Sequence, residues 1–546
     1  MKSISRRLGA TIAGGALATT ALATLSVAPA QAAPSTAGSA AANAALTWLD
    51  TQYLGLGQQA DMYVGLGTLD GTEARRSAIE GAFRDQAPGY INSDYTWNDV
   101  HYTGISSGAI AKTLAVAAEA GDDVSAYGGE TVTPKLDLVD LLADRTTAAG
   151  PSAGRLADEA FADGVPDPYG NYANTFGQAW AVRGLAAADT TAADALLPTV
   201  QSFLLDQQCA DGYFRLYFNT DAAATNQSCD DASPAETTPG ADTTALVLIL
   251  LDDLAAEDPT VATALDKAEA WLLEQQLADG SFPAEEADGG AQPAPNTNTV
   301  GLAGWALGVR GQESAATQAA TWVRGRQLTG TDCDGAAKAH RGAIAFTDAG
   351  LTDGLGFGID DVAWEWAGAT AQAFPVLAWA PEATRSPSIT VPAFAKSGST
   401  VTATVAGVPA GARACVDGGA TQNGFVANGG TQKVSLKVGT STKTVSLGSI
   451  GVAASAKITV LSAKKLKPLA KNTLKRGSKQ AIKVKGLAKG EQVVVKLAGK
   501  KVAKGKANSN GVFKATFKVK AKKGKTKLVV TGQFANRTGA KKVTVK

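Results

Sequence analysis

Apolar residues recur at helical spacing over the first two thirds of the chain and alternate with polar ones over the last third. Four segments share one unit: Ala45..Trp48-Leu49..Gln52, Val200..Phe203-Leu204..Gln207-Gln208, Ala268..Trp271-Leu272..Gln275-Gln276 and Ala319..Trp322-Val323...Gln327. Apolar groups three before, at and one after an aromatic lie on one side of a helix, so each unit predicts an amphipathic helix. Two copies run into a turn, Asp211-Gly212-Tyr213-Phe214 and Asp279-Gly280-Ser281-Phe282, where the helix stops and an aromatic returns to the core. A second series lies between them: Asn174-Thr175-Phe176-Gly177, Asp242-Thr243-Thr244-Ala245 and Asn298-Thr299-Val300-Gly301. Each opens on a residue suited to capping a helix and continues with small and apolar side chains. The two series keep step, with 29 residues from Asn174 to Phe203 and again from Asp242 to Trp271, and 24 from Asn298 to Trp322. The spacing predicts paired helices. Trp48 and Gly104 to Ala118 read as weaker copies and Asp361 to Ala378 as a last inner helix, giving about six hairpins over residues 38–382.

After Pro381 the period changes to two. Ser388-Ile389-Thr390-Val391, Val401 to Val405, Val434 to Val438 and Lys457 to Val460 predict an immunoglobulin-like sandwich over 383–461. A second β module, 462–546, alternates Lys with apolar residues, as in Ile482-Lys483-Val484-Lys485 and Phe513 to Val519. One face is therefore buried and the other is a field of lysines.

Charge sharpens this division. The chain has 51 basic and 50 acidic residues, but Ser462 to Lys546 holds 26 Lys plus Arg against one acid, Glu491. That leaves 25 basic and 49 acidic residues in the rest, an acidic body with a basic tail. Residues 1–32 combine Lys2, Arg6 and Arg7, an Ala- and Leu-rich run and Ala30-Gln31-Ala32, which predicts an export signal rather than a membrane helix. No later stretch reaches the length of a membrane span, so a secreted, extracellular or cell-wall-associated protein is expected. In an oxidising compartment Cys209 and Cys229, bracketing a polar stretch, are the favoured disulfide; the partners of Cys333 and Cys415 stay open.

The Trp-Leu-x-x-Gln-Gln...Asp-Gly-x-Phe units resemble the prenyltransferase and squalene-oxidase repeats of the terpenoid cyclase and protein prenyltransferase superfamily, over about 340 residues. The resemblance implies an all-α (α/α)6 toroid over 33–382, carried ahead of the two β-sandwich modules. It also implies a ligand site at the mouth where the inner helices begin. The residues expected there are Trp97, His101, Tyr102, Asn174, Asp242, Asn298, Asp360, Asp361 and Trp364. A helix-capping role stands beside ligand contact for Asp242 and Asn298.

The relatives' catalytic signatures survive in fragments. Squalene-type cyclases protonate through Asp-x-Asp-Asp; here Asp242 has no adjacent acid, and the doublet Asp360-Asp361 lacks the preceding one. Prenyltransferases hold zinc through an Asp-x-Cys pair and a later His, whereas Asp332 and Cys333 are adjacent and His340 follows after seven residues, so no metal or other cofactor is expected. With only His101 and His340 in the chain, acid and base work would fall to Asp242, Asp360, Asp361 and Glu365, the last set between Trp364 and Trp366. The expected function is non-catalytic binding of a small or apolar ligand or a glycan, with the basic module held on an anionic cell-wall polymer. The competing expectation is an enzyme, a cyclase-like isomerase or a carboxylate-based polysaccharide hydrolase or lyase. The Lys-rich module has few aromatics and isolated lysines, which speaks against specific nucleic-acid recognition.

Overall fold

The computed structural model describes residues 39–229, 238–284 and 294–546; the export signal expected at 1–32 lies outside them. The helical body contains α1 (Ala40–Leu49), α2 (Leu56–Leu66), α3 (Glu73–Ile91), α4 (Ser107–Ala120), α5 (Leu138–Asp144), α6 (Thr175–Ala187) and α7 (Thr191–Leu205). It continues with α8 (Ala241–Ala255), α9 (Pro259–Gln275), α10 (Thr297–Val309), α11 (Glu313–Arg324), α12 (Asp348–Phe357) and α13 (Ala363–Ala373). Helices α2, α4, α6, α8, α10 and α13 pack each on the next and the last on the first. Small residues set the spacing. Gly177 meets Gly108 and, seven residues on, Gly184 meets Ala115, so α4 and α6 run parallel in register. Gly301, Gly304 and Gly308 likewise face Ala373, Val376 and Trp379. Parallel packing gathers the N-terminal ends of these helices on one side.

The repeated Gln and Gly residues join the surrounding helices to one another. The amide of Gln208 donates to Gly212 O and to Ala264 O of α9, Gln276 to Gly280 O and Ala315 O of α11, and Gln327 to Gly342 O and Ala41 O of α1. The turn glycines adopt positive φ, 106°, 89° and 101°, and a Cβ at Gly280 would lie 2.5 Å from Gln318 O. Only glycine fits both the backbone and the approach. The motif is thus a cross-helix clasp.

The all-α (α/α)6 toroid expected for 33–382 is corrected by the secondary structure. Between α3 and α6 the chain forms an antiparallel sheet ordered β1 (Asn92–Trp97), β2 (Val100–Ile105), β3 (Glu159–Ala162), β4 (Val165–Pro166). The region is a mixed α and β unit. Six self-contained hairpins are not present either: the last helix α13 runs into a 3-10 segment, Phe374–Trp379, and its neighbour is α1 from the other end of the chain. The periodicity of residues 92–105 is two rather than 3.6, with Tyr, Thr, Trp and Val favouring strands, and the helical repeat hid it.

The C-terminal β region fits the alternating pattern. In 383–461, a sheet of Gln432–Lys437, Thr400–Ala406 and Ser388–Thr390 and a four-stranded sheet containing Arg413–Asp417 and Thr444–Ser449 share one core around Val405, Val416 and Leu447. In 462–546, Lys467–Leu469, Lys479–Lys485 and Val512–Lys518 form one sheet and Gln492–Leu497, Gly524–Thr531 and Arg537–Val545 are central to the other. Ile482, Val495, Phe517 and Val530 lie in their shared core.

Candidate functional site

The centre of the helical circuit is filled. Trp180, Leu246, Ile249, Leu302, Trp305 and Ala371 leave a cavity of about 10 Å³, room for one water at most. Nearby, Lys112 donates to Asp61 at 2.7 Å and to Gly57 O, so its charge is neutralised locally. An enclosed apolar ligand has no space there.

The side where the parallel helices begin is different. Large aromatics stand exposed in the segments that lead into them or bond to their first turns. Trp97 (64% exposed) ends β1 beside a turn at Asn98 and Asp99, both at positive φ, and Tyr95 stacks on Tyr102 across the hairpin with centroids 5.3 Å apart. Tyr169 and Tyr172 (85% and 77%) precede α6, and Trp364 (70%) lies in the first turn of α13. Tyr217 and Phe346 follow and include the carbonyls of Leu216 and Phe346 that accept from Thr175 N and Thr297 N, the first residues of α6 and α10. Exposed aromatics concentrated on one face mark a surface made to contact something.

The expected residues divide between this surface and the layer beneath it. His101 is exposed on β2 with Nε2 2.8 Å from Asp94 Oδ1. Asp360, Asp361 and Glu365 are exposed around the start of α13, and Asp360 Oδ1 lies 2.9 Å from His340 Nε2. His340 Nδ1 in turn accepts from the indole N–H of Trp48 at 3.4 Å, which fixes the proton of the neutral ring on Nε2. Asn174 caps α6, its Oδ1 accepting from Gly177 N. Asp242 and Asn298 are not caps: they are the second residues of α8 and α10, whose caps are Gly240 and Asn296. Each instead holds a side-chain oxygen that is enclosed and unbonded, as do the hydroxyls of Thr175, Thr243 and Thr299. Burial raises the Asp242 carboxyl above the ordinary aspartate range; the Thr299 hydroxyl faces it and lowers it in smaller measure, without a bond of normal geometry. The exposed Tyr169 and Tyr172 were legible only as tyrosines in an Asp-, Pro- and Gly-rich loop and Tyr95 only as a neighbour of Trp97, and the Thr hydroxyls as the invariant second position of the inner series.

The metal alternative loses its sulfur ligand. Cys333 is bonded to Cys415, Asp332 pairs with Lys338, and His340 faces Asp360. Asp334 is buried and its Oδ2 accepts from Thr329, Gly330 and Thr331 within its own loop. Among the described residues no group of His, Cys, Asp and Glu is arranged to hold a metal ion. The expected Cys209–Cys229 disulfide is present, and the Cys333–Cys415 bond ties the helical body to the first β module. No helix of the described residues is long and apolar enough to cross a membrane. On the basic module, Lys475, Arg476, Lys523 and Lys546 line an open cleft of about 630 Å³.

No protein-family model matches the chain, and no curated protein matches it. Similar solved structures include the Yersinia pseudotuberculosis adhesin InvE (17% identity, 30% of this chain and 58% of that one, TM-score 0.17) and an ICAM-5 D1–D4 ectodomain fragment (17%, 30% and 54%, 0.18). A bacterial ice-binding adhesin is similar at 15% identity over 29% of this chain and 64% of that one, TM-score 0.18. The chain thus spans a little over half the length of the first of these structures. At such TM-scores the likenesses carry no argument about fold or activity.

Proposed function

We propose that this is a cell-surface glycan-binding protein, with the aromatic face of the helical body as the binding surface and the basic module as its hold on an anionic wall polymer. The observation that carries this reading is the set Tyr95, Trp97, Tyr169, Tyr172 and Trp364, all exposed on the side where the inner helices begin, with the half-buried Tyr102 stacked on Tyr95. The flat apolar face of a sugar ring stacks on such side chains, while its hydroxyls meet the neighbouring carboxylates Asp94, Asp360, Asp361 and Glu365. A filled centre favours a ligand lying across the face over one enclosed in the body. Kinship of the Trp-Leu-x-x-Gln-Gln units with prenyltransferase and squalene-oxidase repeats belongs to the same proposal and rests on those residues alone.

Co-sedimentation of the full chain with a panel of insoluble cell-wall polysaccharides tests the reading. Binding to at least one of them is expected, and Trp97→Ala and Trp364→Ala are each expected to weaken it about tenfold, the size of one interfacial anchor. Both side chains are exposed, so melting temperature should not change. Undiminished binding by the double variant would remove the aromatic face from the account. Release of soluble fragments from the polysaccharide would make the protein an enzyme instead.

A further inference from the structure

The basic module has two sheets, and opposed lysines occur on both: Lys496 with Lys501 and Lys527 with Lys542 on the larger one, and three pairs on the smaller one. On the sheet of Lys467–Leu469, Lys479–Lys485 and Val512–Lys518, three lysine pairs stand directly opposite one another: Lys467 with Lys485, Lys483 with Lys514, and Lys479 with Lys518. Alternation places all six on the outward face, above Ile482, Val484, Phe513 and Phe517 in the core. Like charges directly opposed across strands destabilise a sheet. Nothing in the module offsets them. Its single acid, Glu491, is fully buried and committed to Arg537 at 2.7 Å, and none of the six lysines is in an ion pair among the described residues. Arg537 is buried as well, which leaves Arg476 as the other guanidinium of the module.

We infer that this face binds a linear polyol-phosphate polymer lying along the strands, its phosphates seated between opposed lysines. Along the central strand Lys483 and Lys485 are two residues, about 6.7 Å, apart and Lys479 and Lys483 four residues, about 13 Å, apart, while opposed pairs stand about 5 Å apart, so the paired charges form a ladder spaced in multiples of the pleat. A phosphate between two ammonium groups relieves their repulsion, so the unfavourable pairs become the binding energy. Lysine is a compact point charge that suits an isolated phosphate, whereas planar carboxylates are matched bidentately by arginine. The face carries no exposed aromatic on which a base could stack, so a nucleic acid has only its phosphates to offer. This inference rests on the proposal that the module is the surface hold.

Binding of the full chain to immobilised poly(glycerol phosphate) separates the possibilities. One variant changes the six ladder lysines to Gln; a control changes six exposed lysines that face no lysine across a strand, Lys465, Lys500, Lys504, Lys506, Lys523 and Lys525, with the same loss of charge. The ladder variant should lose affinity on the order of a hundredfold or more, because six to ten phosphate contacts are worth ~10³–10⁵ between 50 and 200 mM salt, and the control should lose far less. Removing opposed charges should leave the ladder variant folded with an unchanged or higher melting temperature. Equal losses in both variants would overturn the ladder while leaving charge-based retention intact. No binding by the unmodified chain would sink both readings. Equally tight, ladder-dependent binding of a single-stranded oligonucleotide, or of a polyuronate, would overturn the assignment to polyol phosphate.

Discussion

Gly280 and Asp242 show two opposite reasons for a residue to stand where it does. Gly280 sits at φ 89° against Gln318 O, so Gly280→Ala strains the backbone and pushes α9 and α11 apart. A loss of about 1–3 kcal/mol is expected in chemical denaturation, with the exposed aromatic face unaffected. Asp242 works against the fold. Burial raises its pKa above the unfolded value of about 3.9, so the folded chain binds the extra proton and stability falls as pH rises from there through the raised value. Asp242→Asn removes that dependence. The variant should be more stable than the parent at pH 7 and should close the gap near pH 3, as followed by thermal melting across pH; a parent whose stability rises over the same range would contradict the assignment. A carboxylate kept at such a cost beneath an aromatic face is one to test for ligand binding as well as stability.

At the level of elements, the disulfide between Cys333 and Cys415 is the covalent link between the 3-10 segment Asp332–Ala339 of the helical body and strand Arg413–Asp417 of the first β module. It closes a separation of 82 residues, for which the loss of unfolded-chain freedom amounts to about 4–5 kcal/mol. Cys333→Ser with Cys415→Ser should therefore lower the unfolding midpoint and expose the Pro381 region to protease, while Cys209→Ser with Cys229→Ser should act on the Asp206–Cys229 loop alone. Helices were legible because the aromatic, Gln and Gly positions that clasp them recur at fixed offsets. Their chemistry was less so. Asp242 and Asn298 carry a capping residue type, but the chain enters α8 and α10 two residues earlier, at Gly240 and Asn296, so the oxygen that a cap would use is turned inward. Sheet β1 to β4 was missed because the period of two in the short hairpin β1–β2 stood inside a helical repeat, and because β2 takes its other partner, β3, from about 60 residues further on.

For the whole molecule, an acidic helical body with an aromatic face and a β module with a lysine face are joined through a first sandwich that is itself locked to the body. The charge division and the β modules follow from composition and alternation; of the aromatic face, Trp97, Tyr102 and Trp364 were expected through the family resemblance, whereas Tyr169 and Tyr172 were not, since they lie far from the others in sequence and only parallel packing brings the helix starts to one side. That face is the central claim, and tryptophan fluorescence titration of the full chain with a soluble fragment of the wall glycan it sediments with tests it most directly. Saturable quenching or a blue shift is predicted, reduced in amplitude in Trp97→Phe and in Trp364→Phe and lost in the double variant, because the signal arises from stacking on those two indoles. A saturable change that survives in the double variant, or binding with no change in fluorescence at all, would contradict it.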